Sequence, residues 1–128
     1  MSWSKTLLAL ALAAAGSLAQ AAVLSTSTLS ESDLGKGRES ACEARNPGES
    51  PLEVSIEGFD AQGRRVVALT FDLLPGSTRR VLAPENTGSS ARIASCQFSF
   101  SGRASKLEAR IIVSSPDRER ELVSRLAR

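Results

Sequence analysis

The side chains able to do chemistry are few. The chain holds no His, which removes the commonest general base and the commonest metal ligand together. What remains for catalysis is carboxylate chemistry by Asp60, Asp72, Glu53 and Glu57, alongside several Ser that only a Lys or a carboxylate could activate. Paired carboxylates act as acid and base when a shaped pocket raises one of their two pKa values, and no spacing here specifies such a pocket. Glu53 and Glu57 have the parity of an outward strand face, where surface ion pairs are the default.

Three other groupings invite a functional reading. Gly35-Lys36-Gly37-Arg38 has phosphate-loop composition but lacks the two Gly four residues apart followed by Lys-Ser/Thr, so it reads as a solvated loop. Arg64-Arg65 and Arg79-Arg80, with Arg45 and Arg92, are the candidate cationic patch for an anionic envelope polymer or a lipid head group. Arginines on exposed strands also discourage edge-to-edge association, which is the competing explanation. Cys42 and Cys96 are the only thiols. They have no Cys-x-x-Cys spacing, and two thiolates without His make a poor tetrahedral set, so neither a redox pair nor a metal site is expected. No cofactor is implied.

The elements that carry these residues begin with a leader. Lys5 precedes an apolar run over 6–15, and Ala19-Gln20-Ala21 supplies a small-x-small cleavage site, the pattern of a signal peptide over 1–21 cut between Ala21 and Ala22. The run is shorter than the roughly 20 residues that cross a bilayer, so no stable membrane insertion is expected after cleavage. The protein is therefore expected outside the cytoplasm, periplasmic or secreted. An even cysteine count in that setting predicts a Cys42–Cys96 disulfide, worth about 4 kcal/mol for a loop of this length in the chain-entropy model.

The remainder of the 128 residues is one domain's worth of chain. Its charges nearly balance: the formal net charge is +2, and Lys5 in the leader supplies one of those. Mixed signs and scarce aromatics argue against nucleic acid as a partner. Phe59, Phe71, Phe98 and Phe100 read as core residues.

Period-two alternation recurs along most of the chain and predicts an all-β fold. Leu52, Val54 and Ile56 alternate with Glu53, Ser55 and Glu57; Leu107, Ala109, Ile111 and Val113 alternate with Glu108 and Arg110. Val67, Leu69, Phe71 and Leu73 share one parity, as do Cys96, Phe98 and Phe100. Asp60-Ala61-Gln62-Gly63 reads as a hairpin loop, Leu74-Pro75-Gly76 as a type II turn, and 84–90 as a longer connection. Gly58 marks a bulge or a close backbone approach. About seven strands result, near 22–29, 40–46, 52–59, 65–73, 78–83, 91–101 and 106–114, with 25–32 grading into a flexible arm. The charged tail over 115–128 reads as a short helix, with Pro116 near its start and Leu122, Val123 and Leu126 as its apolar stripe.

Cys42-Glu-Ala-Arg-Asn46-Pro47, Val54-Ser-Ile56 leading to Asp60-Ala-Gln-Gly63, the Leu74-Pro75-Gly76 turn and Cys96-Gln-Phe98 resemble bacterial secreted domains with an immunoglobulin-like or fibronectin-III-like β-sandwich. The resemblance implies that residues 22–114 form such a sandwich. It also implies that the cysteines sit on strands B and F, bridging the two sheets. It departs from antibody-type domains, with no Trp on strand C and Ala94 where a Tyr would stand, and a partly closed barrel or another sandwich order fits the same strand count. The function expected is a non-enzymatic binding or structural module of the envelope or exterior, engaging a protein or an anionic polymer. The alternative is a small envelope enzyme using carboxylate acid and base chemistry.

Overall fold

The computed structural model describes residues 21–83, 92–117 and 120–128. The leader before Ala21, the connection over 84–90 and Arg118 of the tail lie outside the described residues.

Eight strands are described: β1 (Ala21–Ser25), β2 (Glu39–Arg45), β3 (Leu52–Phe59), β4 (Arg65–Leu73), β5 (Thr78–Leu82), β6 (Ser95–Ser101), β7 (Glu108–Ser114) and β8 (Glu121–Leu126). A one-turn helix, α1 (Glu31–Leu34), and a 3-10 turn, Ala104–Lys106, complete the elements. The strands form two antiparallel four-stranded sheets, ordered β1-β6-β3-β4 and β5-β2-β7-β8.

Alternation sends one parity of each central strand into the space between the sheets. Val54 and Ile56 of β3, Phe98 of β6, and Ile111 and Val113 of β7 are completely buried, while Phe100 is nearly so. Phe59 and Phe71 are only half-buried, because β4 is an edge and Phe59 ends its strand. The Cys42–Cys96 disulfide joins β2 to β6, hence one sheet to the other, across a Cα separation of 5.8 Å. An immunoglobulin order would set the seventh strand beside the sixth. Here β7 lies beside β2, and β1 takes the place next to β6.

Turn chemistry follows the sequence. The Asp60 side chain accepts from the backbone N–H groups of Gln62 (3.0 Å) and Arg64 (2.9 Å), which closes the β3–β4 hairpin. Gly76, at φ 74°, supplies the left-handed residue of the turn into β5, where the Ser77 N–H donates to the Leu74 carbonyl at 3.1 Å. The β3–β4 register slips between Gly58 and Phe59, leaving Val66 as the extra residue of a bulge. A Cβ on Gly58 would stand 2.6 Å from Val67 Cγ1, so close approach explains the glycine.

Two expectations are corrected. The tail is not a helix: β8 pairs with β7, and Val113 faces Val123. Pro116 serves the turn between them, with the Ser115 hydroxyl accepting from the Arg120 N–H at 3.2 Å and the Ser115 N–H donating to the Arg120 carbonyl. A helix of about twelve residues is marginal alone, whereas β7 presents a row of backbone groups needing partners. The segment after β1 is not a flexible arm either. Thr26 N–H donates to the Cys96 carbonyl, Leu29 N–H to the Ala94 carbonyl, and Leu29 is buried. Ser30 then caps α1, in a capping box with Asp33.

Candidate functional site

The arginines proposed as a patch do not converge. Arg64 lies beside Asp60 at 3.5 Å and Arg65 beside Glu57 at 3.4 Å, both at the hairpin end of β4. Arg79 stacks on the Phe71 ring, 4.4 Å from its centroid, toward the other end of β4. Five residues lie between Arg65 and Phe71, one of them the bulged Val66, which sets the two roughly 17 Å apart along the strand. Arg45 pairs with Glu108 at 3.1 Å. Arg92 donates to the backbone carbonyls of Leu34 and Gly35, which makes 35–38 a braced loop.

Arg80 belongs to a different arrangement, which spacing along the chain could not reveal. On the outer face of the second sheet, Glu43 of β2 faces Arg80 of β5 on one side and Arg110 of β7 on the other. Its carboxylate accepts from Arg80 at 2.8 and 3.1 Å and from Arg110 at 2.8 Å. Arg110 continues to Glu121 of β8 at 2.6 and 3.1 Å. Four charges of alternating sign thus cross all four strands. Burial alone would raise the Glu43 pKa, but the hydrogen bonds from Arg110 and Arg80 outweigh it and hold the carboxyl below its ordinary value. Burial likewise opposes the charged form of Arg110, and the bonds to Glu43 and Glu121 raise its pKa nonetheless. The ladder is charge-satisfied, with no member left over for an anionic ligand.

The catalytic candidates scatter as well. Asp60 is spent on its own turn, and Glu57 pairs with Arg65. Glu53 and Asp72 do meet, directly opposite each other in the β3–β4 ladder, exposed on an open sheet face. Like charges so placed repel, and an open face lacks the shaped pocket that paired-carboxylate chemistry needs. Among the described residues no group of three or more Asp, Glu, Cys or His is arranged to hold a metal ion.

One concavity of about 380 Å³ is lined by residues 46–52 with Ser105 and Lys106. That volume suits a small ligand, yet Asn46, its buried polar residue, is fully engaged with the protein. The Asn46 side-chain amide donates to the carbonyls of Ser50 (2.8 Å) and Leu73 (2.9 Å), and its oxygen accepts from the Gly48 N–H at 3.0 Å. Its backbone bonds Ser77 and Gly76. Asn46 is a structural knot that fixes the β4–β5 turn to the end of β2.

The remaining feature is an edge. β4 ends its sheet, and no described residue pairs with its outer side. It runs Arg65-Val-Val-Ala-Leu-Thr-Phe-Asp72-Leu73, so six residues without charge, Pro or Gly lie between Arg65 and Asp72, four of them (Val66, Val67, Thr70 and Phe71) of high β propensity. Ala68, Leu69 and Thr70 are exposed. Native sheets ordinarily blunt such an edge with charge, proline, short length or a covering element. β5, the edge across the sandwich, is short and carries Arg79 and Arg80. The bulge at Val66 bends only the start of β4, leaving Val67 to Leu73 as a regular template. No family of known proteins, no individual characterised protein and no solved structure matches this chain.

Proposed function

We propose that this protein is an exported, non-enzymatic binding module that engages another polypeptide by accepting its strand along β4. The observation that carries this reading is the uncharged stretch Val66–Phe71 on an edge that no described residue pairs, in a fold whose candidate arginines are committed to partners within the chain. Strand addition draws affinity from main-chain hydrogen bonds and specificity from alternate side chains, so it requires no pocket. Export is supported by the leader pattern of 1–21, and the Cys42–Cys96 disulfide is consistent with an oxidising compartment. A polypeptide is favoured over an anionic polymer because the candidate cations are dispersed and paired.

The reading is tested by placing a photo-crosslinking residue at Leu69 in the exporting cell, with Ser124 on β8 as the comparison position. The expected result is a discrete polypeptide adduct from position 69 and little from 124. Equal labelling at both positions, or none at 69, overturns the proposal.

A further inference from the structure

The β4 edge is complementary to itself, and we infer that its occupant is a second copy of this chain, paired antiparallel through β4 about a two-fold axis at Thr70. This rests on the edge-pairing reading above and adds the identity of the partner.

Symmetry restricts the choices. A two-fold axis that joins two antiparallel edges into one sheet keeps the same face upward in both copies, so facing residues must share parity and the axis passes through a single residue. Ala68, Leu69 and Thr70 are the central options. The bulge at Val66 decides among them, because only Val67 to Leu73 is regular, and Thr70 is the midpoint of that stretch. An axis at Ala68 or Leu69 would set Thr70, Phe71 or Asp72 against the bulge.

With the axis at Thr70 every facing pair is compatible. Leu69 meets Phe71 of the second copy and Val67 meets its Leu73, all four on the core-side parity that Leu73, buried, defines. Thr70 meets itself on the outer face. Its hydroxyl already bonds the Ser55 hydroxyl at 2.8 Å, and a hydroxyl with one donor and two acceptor sites can add the second copy's Thr70. Ser55, Thr70 and their symmetry mates would make a four-hydroxyl row across the junction.

Charge agrees with the same register. Glu53 and Asp72 oppose each other, and among the described residues no cation is bonded to either. Asp72 faces the small Ala68 of the second copy, and Arg65 of that copy lies one outer-face position further along, since the bulge places it opposite Phe59 and beside Glu57. That is a diagonal neighbour of Asp72, within reach of a long side chain. Arg65, already 3.4 Å from Glu57, would then stand between that carboxylate and Asp72 of the other copy, twice by symmetry.

The test uses the exported chain carrying Thr70→Cys, with Ala68→Cys as its control. Across the axis the two Cα atoms at position 70 would lie about 4.5–5.5 Å apart, within disulfide range, whereas two Ala68 positions would be four residues out of register, roughly 13 Å. Thr70→Cys should form a covalent dimer at least tenfold faster than Ala68→Cys, and an equimolar mixture of Ala68→Cys and Asp72→Cys should cross-link between variants. Sedimentation equilibrium of the unmodified chain should show dimers that Thr70→Lys abolishes. If Thr70→Cys misfolds, that sedimentation comparison decides. Equal cross-linking rates with a monomeric unmodified chain overturn the second copy. If the Leu69 photo-crosslinker then captures a different polypeptide, the edge reading survives; if it captures nothing, both readings fall.

Discussion

The sandwich has two seams where the edges of its sheets come together, and they are finished differently. At the β1/β8 seam, Ser25 and Arg128 exchange two backbone hydrogen bonds of 3.1 and 3.0 Å, so the main chain itself bridges the sheets. Arg125 adds a contact to Asp33 at 3.8 Å. At the β4/β5 seam the described cross-links are the Arg79 stack on Phe71 and the Asn46 knot beneath the turn. Both seams expose leucines, Leu126 at one and Leu69 at the other. What separates them is main-chain bridging: among the described residues the Ser25–Arg128 pair joins one seam just past the ends of β1 and β8, whereas the other has no backbone bond between β4 and β5 and leaves the nine-residue β4 unpaired on its outer side. The proposed recognition would therefore draw on main-chain geometry, with no enclosed cavity required.

Untying the β4/β5 seam has the largest expected effect. Asn46→Ala removes the amide that serves Leu73 and Ser50 and leaves their carbonyls without that partner. The bond to Leu73 is buried and the one to Ser50 only partly so; at about 1–3 kcal/mol for a buried group left unsatisfied, the expected loss is about 2–3 kcal/mol, read as a lowered urea midpoint with an unchanged slope. Hydrogen exchange should accelerate in β4, β5 and their turn while β1 and β8 keep their protection relative to the global stability. Uniform acceleration over all eight strands would mean that the two seams are not separable.

A second test uses pH, because the Glu43 ladder runs from β5 at the open seam to β8 at the closed one. Folded Glu43 binds its proton less readily than the ordinary carboxyl with pKa 4.5, so its contribution is present above that value and fades as pH falls through the lower folded range. Below it, Arg80 loses its carboxylate partner, whereas Arg110 first retains Glu121. β5 should therefore loosen before β7 and β8 on acidification, seen by residue-resolved amide exchange. Glu43→Gln should cost about 1–2 kcal/mol near neutral pH, the range for charged hydrogen bonds reduced for the water that reaches this face, and should flatten this part of the acid response. An unchanged acid response in that variant would remove Glu43 as its source.

Legibility from sequence follows the same division. Alternation in Leu52-Glu-Val-Ser-Ile-Glu and Leu107-Glu-Ala-Arg-Ile announces strands because each has one wet face, and the inward parity of Cys42 and Cys96 anticipates their bridge. Asp60 and Gly76 announce their turns through local chemistry. Neighbour choice is a different kind of information: alternation fixes which face a residue takes, and nothing local says that β7 lies beside β2. Leu122-Val-Ser-Arg-Leu126 fits a helical stripe as well as a strand, and only the exposed backbone of β7 decides between them. The Arg80-Glu43-Arg110-Glu121 row is invisible for that reason, since its members become adjacent only once three strand pairings are in register. Asn46 is readable as a loop residue, but its burial depends on a turn that returns from about thirty residues downstream.

The finest test compares like with like at the two seams. Leu69→Lys in β4 and Leu126→Lys in β8 each replace an exposed leucine, 36% and 66% accessible, with a flexible cation. Neither leaves a cavity or strands a buried polar group, so each should shift unfolding free energy by no more than about 0.5 kcal/mol, within the usual range for surface changes. Their effects on association should diverge. A lysine in the middle of an open edge is a common natural device against strand pairing, because adding a strand would desolvate it beside apolar neighbours. β8 is also a sheet edge, but it is shorter, carries Glu121 and Arg125, and is followed by the Ser25–Arg128 backbone pair, so the same charge joins an edge that is already charged. Analytical ultracentrifugation and the Leu69-type crosslinking assay, moved to Val67 for the Leu69→Lys variant, should show association lost for Leu69→Lys and retained for Leu126→Lys. Equal loss in both variants would mean that exposed leucine, and not the uncharged β4 edge in particular, drives association, and the contrast between the seams would carry no functional meaning.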